Sequence, residues 1–392
     1  MKIGMITPWN TNSGPSTHAE LVGREWVKQG HKLTVFAHDG SNRSEGIILQ
    51  KDEPYVVRCW GSSFWGHENW LDTELLLKTS FDIFVAQNLE ILPMTELLKI
   101  YPEVRKKSKT VLVIHESRLP SNPLFYEFDW DAVVYFDERY KNFLVKAFPL
   151  KKIHMIPFPC HPFLEGDKKT SRIKLDLPLD RKIILVFGYS VWRNVPILPI
   201  LNELSKNYPI FLLVLTIDSL SFKLFNEAKT KYDFPIEVRW EAPPLDKLYS
   251  YLHAADVLVK HVEDREEDRN LAILSSTVHL CLGSGCPIVV SDVQLFKNFN
   301  QEVLKYSPND LTELKSKLID VFEETENLAR VKQKAKEYVE KNSSDKIAEK
   351  FIQLFQELLI GDKIEIMWID SKGQLGKQIH TRSRKELLLK HG

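Results

Sequence analysis

Cysteine is scarce in this chain: four residues among 392, at Cys59, Cys160, Cys281 and Cys286. They are too few and too scattered for a disulfide framework, and with no C-x-x-C pair among them a cysteine zinc site is not expected. Net charge is missing too. The 53 Lys and Arg balance the 53 Asp and Glu, so no global field draws the chain to nucleic acid or to an anionic membrane, and any basic patch is local. No apolar run reaches the ~18–20 residues of a membrane helix. The opening apolar stretch breaks at Pro8, too short for a signal-peptide core. There is no repeat, no low-complexity segment, no G-x-G-x-x-G fingerprint, no Asp-x-Asp in a strand-end loop and no His or Cys cluster. We therefore expect a cytoplasmic protein with no metal and no cofactor. The residues present are 43% hydrophobic and 27% charged, which excludes a disordered chain. At ~100–200 residues per domain, the length predicts two domains or three.

The first apolar segment holds Ile3, Met5 and Ile6, followed by a polar stretch from Trp9 to Ser16. Ala19, Val22, Gly23, Trp26 and Val27 then recur at helical spacing. Thr17 with Glu20 reads as a capping box, and Gly30 fits the place just past the helix end. A second apolar run, 33–37, reads as a buried strand. Strand, loop, helix, strand is the signature of a right-handed βαβ unit in a parallel sheet. Strand-like runs recur at 81–86, 110–114, 132–135 and 153–156, with helical stretches around 90–100 and 137–147. Residues 164–182 turn polar and charged and read as a linker.

A second strand series follows at 183–187, 210–215, 236–240, 257–259 and 287–290, separated by helical spacing at 196–206 and 245–254. Residues 310–341 and 345–359 read as amphipathic helices. The expected organisation is a domain over 1–165, a second over 180–342, a helix over 343–360 that crosses back, and a strand-like, basic tail over 361–392.

The order of the motifs carries more than any one of them. The stretches ITPWNTNSGPSTHAELVGREWVKQGHKLTVFA (6–37), DIFVAQN (82–88), VLVIHE (111–116), KIHMIPFPCHPF (152–163), IILVFGYSVWRN (183–194), LYSYLHAADVLV (248–259) and LGSGCPIVVSD (282–292) together resemble the retaining GT-B glycosyltransferases of family 4, also called group 1. The resemblance covers roughly residues 1–360. It implies two Rossmann-like α/β domains facing across a cleft. It also implies a nucleoside diphosphate sugar on the C-terminal domain, a hydroxyl acceptor on the N-terminal side, and positive side chains in place of a metal. Two glutamates usual in that family fall at Ala272 and Leu280 here. The usual glycine, arginine and lysine pattern after the first C-domain strand is also altered: Gly188 precedes Tyr189, and Arg193 stands near the lysine position.

Candidate donor-binding residues follow. Ser275, Ser276 and Thr277 open a short apolar helix, where free N–H groups favour an anion, or where the hydroxyls simply cap the helix. Arg193 is the candidate for stabilising a departing diphosphate, a charge that grows in the transition state. Lys260, at the end of a strand, is the second candidate cation, with His261 and Arg265 behind it. Ser13 and Gly14, and Gly188, are places where backbone can approach a ligand closely. His115 ends a strand and is the candidate catalytic imidazole, a hydrogen-bonding partner for a sugar hydroxyl. Gln87, Asn88 and Glu116 are the candidate acceptor contacts. A nucleotide-sugar epimerase or hydrolase of the same architecture would instead need Glu116 or Glu241 as acid or base. A catalytically degenerate glycan-binding subunit is the remaining alternative.

Two basic runs are left. Arg105, Lys106, Lys107 and Lys109 are candidates for peripheral contact with the inner face of a membrane, at ~1 kcal/mol per basic residue near an anionic leaflet, or form a solvated loop. The tail bases Lys372, Lys377, Arg382, Arg384, Lys385 and Lys390 have no interleaved aromatics and read as solvated surface, so no nucleic-acid partner is expected. Phe64, Trp65 and Trp70 read as packing under a loop or as a sugar-stacking platform.

Overall fold

A computed structural model describes residues 1–40, 47–61, 69–188 and 190–361 in full, and the backbone alone of 363–369 and 375–381. The first half runs β1 (Lys2–Thr7), α1 (Gly14–Lys28), β2 (Lys32–His38), β3 (Val56–Gly61), β4 (Trp70–Leu71), α2 (Thr73–Lys78), β5 (Ile83–Gln87), α3 (Met94–Lys107), β6 (Lys109–Val113), β7 (Ala132–Tyr135), α4 (Glu138–Leu144) and β8 (Ile153–Met155). These strands form an eight-stranded sheet in the order β4-β3-β2-β1-β5-β6-β7-β8. Every pairing is parallel except β3 with β4.

The second half runs α5 (Lys168–Lys174), β9 (Lys182–Phe187), α6 (Leu198–Ser205), β10 (Ile210–Thr216), α7 (Ser219–Ala228), β11 (Ile236–Trp240), α8 (Leu245–Ala254), β12 (Val257–Lys260), α9 (Ser276–Leu282), β13 (Ile288–Ser291), β14 (Leu304–Tyr306), α10 (Leu311–Phe322), α11 (Glu326–Asn342) and α12 (Ser344–Ile360). Its six strands lie in the order β11-β10-β9-β12-β13-β14, parallel throughout. Strands covered by helices on both faces read as continuous apolar runs. β10 is accordingly buried at every position. The expected strands at 132–135 and 236–240 keep those limits, and the others shift by no more than two residues.

In each sheet the first strand lies inside, and the strand order reverses beside it. β1 has β2 on one flank and β5 on the other; β9 has β10 and β12. Open α/β sheets bind ligands outside the carboxyl ends of the strands at such a reversal. Both reversals here open onto one cleft.

Several local expectations are corrected. α1 begins one turn before the Thr17–Glu20 pair, with Ser13 as its N-cap. Glu20 instead accepts from the Ser16 hydroxyl at 2.6 Å and from the Asn10 N–H at 3.0 Å, and so ties the loop after β1 to the helix. Gly30 does end the helix at φ +84°. Its N–H reaches the Val27 carbonyl, and that of His31 reaches the Trp26 carbonyl, the paired bonds of a Schellman end. The segment read as a linker contains α5. One of its charges is buried: Arg172 donates to the Ala254 carbonyl and to Asp256, which also pairs with the exposed Lys168. The single helix read over 310–341 is two, broken at Glu324 with φ +52°. In the tail, the strand-like KIEIMWID becomes β15 (Lys363–Ile369), antiparallel to β16 (Leu375–Thr381). The tail's basic side chains, and Phe64 and Trp65, lie outside the described residues. Trp70 stands 41% exposed in β4.

α12 lays Ile347, Ala348, Phe351, Leu354 and Phe355 into the core of the first sheet. Trp26 of α1 sits against Phe351 and Phe355, centroids at 5.8 and 5.4 Å, and donates its Nε1–H to the Ala348 carbonyl at 3.3 Å. Trp26→Ala should destabilise the chain by about 3–5 kcal/mol, the range for deleting a fully buried large aromatic. Urea unfolding would measure it, and a loss under 1 kcal/mol would show that α12 holds without this contact.

Candidate active site

Two cavities lie in the cleft. The first, of about 330 Å³, runs between the 10–14 loop of the first domain and the loops after β9, β10 and β11 of the second. Its second-domain wall carries Gly188, Thr216, Ile217, Glu241, Leu245, Leu248, Thr277 and Leu280. The second cavity, of about 370 Å³, is bounded by Asn88, His115, Phe136, Tyr140, Phe158, Arg193, Arg265 and Gln294. Gly14 and Ser276 bound both. A Cβ on Gly14 would come within 3.5 Å of the Ser276 Oγ, so the domains meet there across a waist that a side chain would narrow.

Lys260 lines neither cavity directly. Its ammonium lies behind Gly188, where a Cβ would find Nζ at 3.1 Å and the Thr277 Oγ1 at 3.8 Å. Gly188 has φ +112°, a conformation that glycine adopts without strain. The Lys260 Nζ makes one long hydrogen bond, 3.4 Å to the Phe187 carbonyl. No carboxylate among the described residues pairs with it. Burial pulls its pKa down to about 8, and the nearby Arg193 charge adds to the effect. Arg193 borders the second cavity, with its guanidinium beside the Trp192 ring and its buried Nε lacking a hydrogen-bond partner. Two cations thus stand near the waist with no carboxylate in ion-pair contact among the described residues, although Glu263, Asp264 and Asp268 border the same cavity as Arg193.

Ser275 serves as the N-cap of α9, its buried hydroxyl accepting from the Val278 N–H, so it does not face the cleft. Ser276 and Thr277 do. Ser13 lines the first cavity while capping α1. His261 is buried, its Nδ1 bonded to the Tyr306 hydroxyl at 2.7 Å.

His115 faces the second cavity and belongs to a buried network. Gln87, fully buried, accepts at Oε1 from His115 Nε2 at 3.0 Å and from His18 Nδ1 at 2.7 Å. Its amide nitrogen faces the Met5 sulfur at 3.1 Å, which sets the amide's orientation. With protons on those ring nitrogens, the His115 Nδ1 is left as an acceptor edge. Burial holds the His115 pKa well below its ordinary value, with His18 adding to the depression, so the imidazole is neutral at pH 7. Gln87 therefore borders neither cavity and orients His115 instead. Asn88, at φ +56°, does line the second cavity, with a buried Oδ1 that has no hydrogen-bond partner. Glu116 is buried and accepts from the backbone N–H groups of His115 and Glu90 at 3.0 and 3.1 Å. Burial raises its pKa to about 7. It braces the 88–91 turn against the end of β6 rather than reaching the cleft. Glu241 borders the first cavity, but its carboxylate is held by the Tyr251 hydroxyl at 2.7 Å and by Lys247.

The positions of the two absent glutamates differ in fate. Leu280 lines the first cavity. Ala272 is buried in the core of the first domain, its N–H donating to the Ser117 carbonyl at 2.8 Å. Arg105 pairs with Asp129, Lys106 with Glu103, and Lys107 donates to the carbonyls ending α2. Sequence reasoning missed Asn10, Gln50, Thr216 and Phe158 as cavity walls. The strand-end rule applied to β10 would have found Thr216.

No protein-family model matches the chain. Its structure is similar to a glycosyltransferase from Rickettsia africae ESF-5, at 16% identity and TM-score 0.64 over 91% of this chain and 98% of that one. It is similar to HepE of Anabaena, solved with UDP-glucose, at 12% identity and TM-score 0.63 over 91% and 100%. Sucrose-phosphate synthase of Thermosynechococcus elongatus aligns at 13% identity and TM-score 0.63 over 92% and 100%. These likenesses show the fold: it is GT-B, two parallel-sheet α/β domains facing across a cleft.

The half-buried Lys260 charge has a stability signature. Below about pH 8 the native state holds the ammonium charged and unpaired, while the unfolded chain hydrates it. Between about 8 and the ordinary 10.5 the native state sheds the proton first, so native stability rises with pH across that window. Lys260→Met should melt higher than the wild-type chain at pH 7, and the gap should shrink toward pH 10. A gap that does not change with pH would contradict the unpaired charge.

Proposed function

We propose that the protein transfers a hexosyl group from a nucleoside diphosphate sugar to a hydroxyl acceptor, a glycan or a lipid-linked or small polar molecule, with retention of configuration. The observation that carries this reading is the waist between the cavities. Gly14 and Ser276 bound both chambers there, and Lys260 and Arg193 stand beside it without carboxylate partners. A donor would lay its nucleoside in the first cavity, its diphosphate along Gly188, Ser276 and Thr277, and its sugar in the second. HepE solved with UDP-glucose, and pneumococcal GtfA solved with UDP and GlcNAc, share the fold and support a nucleotide-sugar donor. Retention rests on the resemblance to family 4.

As the glycosidic bond breaks, charge accumulates on the leaving diphosphate. Arg193 and Lys260 are placed to stabilise that charge more than the ground state. The two cations take the role a metal would fill, and we expect activity to survive EDTA. His115, neutral and oriented by Gln87, offers Nδ1 to a sugar hydroxyl. Asn88 offers its unpartnered Oδ1 to a hydroxyl in the same chamber. Glu116 is committed to two backbone N–H groups, which argues against a covalent glycosyl-enzyme on that carboxylate. Glu241 is held by the Tyr251 hydroxyl and Lys247, which disfavours an epimerase or hydrolase. The cleft should close on its donor about hinges near 164–182 and 340–345.

A binding-only subunit is the second reading. It is favoured by Ala272 and Leu280, which leave the cavity without the two carboxylates of the resembling family. A thermal-shift screen against UDP-, GDP-, ADP-, CDP- and dTDP-sugars, followed by mass spectrometry for nucleoside diphosphate release, separates the two. Stabilisation of ~2.7 kcal/mol is expected at about 100 times the dissociation constant. Stabilisation without turnover on any hydroxyl acceptor would favour the subunit, and no stabilisation would overturn both. Within the transferase reading, Arg193→Ala should lower kcat ~10²–10³-fold, more than it raises KM. Arg193→Lys should recover only part of that. Unchanged kinetics would place Arg193 outside the reaction.

A further inference from the structure

We propose that residues 262–274 form a gate over the second cavity: a segment of the second domain that seats on the first, walls the cavity while seated, and releases without unfolding either domain. The gate is a property of the segment and holds whatever ligand the cavity takes.

The connection from β12 to α9 spans 261–275 and contains one 3-10 turn, Glu266–Asp268. Connections longer than ~12–15 residues without regular structure are uncommon in compact domains, and many act as active-site lids. Both ends are fixed: β12 pairs with β9 and β13, and Ser275 caps α9. Between them the residue types divide. The outer half, Glu263 to Asn270, is charged and mostly exposed. It closes on itself, with Arg269 paired to Asp264 at 2.7 Å and the Asp268 N–H on the Arg265 carbonyl at 3.1 Å. The inner half, Leu271 to Leu274, is apolar and crosses to the first domain. Ala272 is 2% exposed in that domain's core, its N–H on the Ser117 carbonyl at 2.8 Å, and Leu274 packs against the same core. The Leu271 carbonyl accepts from the Gln294 amide at 2.8 Å, and the Gln294 carbonyl accepts from Arg139 of the first domain at 2.9 Å.

The segment is also a wall. Val262, Glu263, Arg265, Asp268, Ile273 and Leu274 line the second cavity together with Asn88, His115 and Tyr140 of the first domain. Withdrawing the segment removes that wall and opens His115 to solvent. The seat is small: Ala272, Leu274 and one backbone hydrogen bond, with no strand pairing to the first sheet. Segments held by few buried apolar contacts, outside regular structure, open at lower free energy than the sheets that flank them. The residue at 272 fits this role. A carboxylate there would have to shed its water to enter an apolar core, and alanine does not.

The test is hydrogen exchange of the full chain at pH 7, resolved to single amides by mass spectrometry with electron-transfer fragmentation and corrected for intrinsic rates. The Ala272 amide should exchange at least about tenfold slower than the exposed outer half of the segment, and at least about a hundredfold faster than the amides of β1 and β9. A rate equal to that of the outer half would show that the seat is not made. A rate matching β1 and β9 would show that it does not release short of unfolding. Either result overturns the proposal. Leu274→Ala thins the seat and should speed Ala272 by about tenfold or more while β1 and β9 stay as they are. An unchanged Ala272 rate in that variant would overturn the gate, and so would a loosening of β1 or β9 along with it.

Discussion

The cleft depends on how the two domains are held together, and that is mainly apolar packing. α12 continues from the second domain and buries one face against α1, with Trp26, Phe351 and Phe355 in edge contact. Ala272 from the loop before α9 enters the same core with Leu274 packed against it, and the Ala272 N–H closes on the Ser117 carbonyl. Arg139 of α4 donates to the Gln294 carbonyl, while the Gln294 amide donates to the Leu271 carbonyl. These attachments set the separation of two rows of strand ends. They leave room for the paired cavities and bring Gly14 against Ser276 at the waist.

Charge within this frame is distributed unevenly. Most bases elsewhere in the fold have carboxylate or carbonyl partners, as Arg24, Arg58, Arg172 and Arg239 do. At the cleft, Lys260 has only its long bond to the Phe187 carbonyl, and neither it nor Arg193 has a carboxylate partner among the described residues. An unpaired buried ammonium is unfavourable for folding. Its place behind a glycine, at a strand reversal, is where a diphosphate would relieve it. On the proposed reading, stability and donor binding pull against each other at this one side chain. The buried histidines follow a different rule: His18, His115 and His279 sit among aromatic rings, and burial brings His18 down to about 3 and His279 to about 4. Of the three, His115 borders the second cavity, where it stands as a neutral imidazole among charged neighbours that include Arg193, Glu263, Asp264 and Arg265.

How much could be read without coordinates differs from one element to the next. The parallel strands were legible because a strand covered on both faces must be apolar throughout, and no other element of five or six residues has that requirement. Turns and helix starts were less so. The Thr17–Glu20 pair matched a capping pattern, yet Ser13 lies a turn earlier and competes for the same role. The polar stretch 164–182 looked like a linker because its charges find their partners, Asp256 among them, far along the chain. β3 with Arg58 in its middle, β4, β14 and β16 were too short or too polar to stand out.

The candidate site divides in the same way. Sequence alone determined that Gly14, His115, Gly188, Arg193, Lys260 and the Ser-Ser-Thr turn fall at strand ends and helix starts, because those positions follow from local periodicity. It also determined that leucine and alanine stand where carboxylates were expected. Only the tertiary structure decided the direction of each side chain. Gln87 ends β5 and turns inward to hold two imidazoles, while the left-handed backbone of Asn88 just past the strand end turns its side chain to the cavity. Glu116 folds back on its own backbone while His115 faces the chamber. The different fates of Ala272, buried in the other domain, and Leu280, facing the cleft, likewise rest on packing between residues that are distant in the chain, which no local pattern encodes.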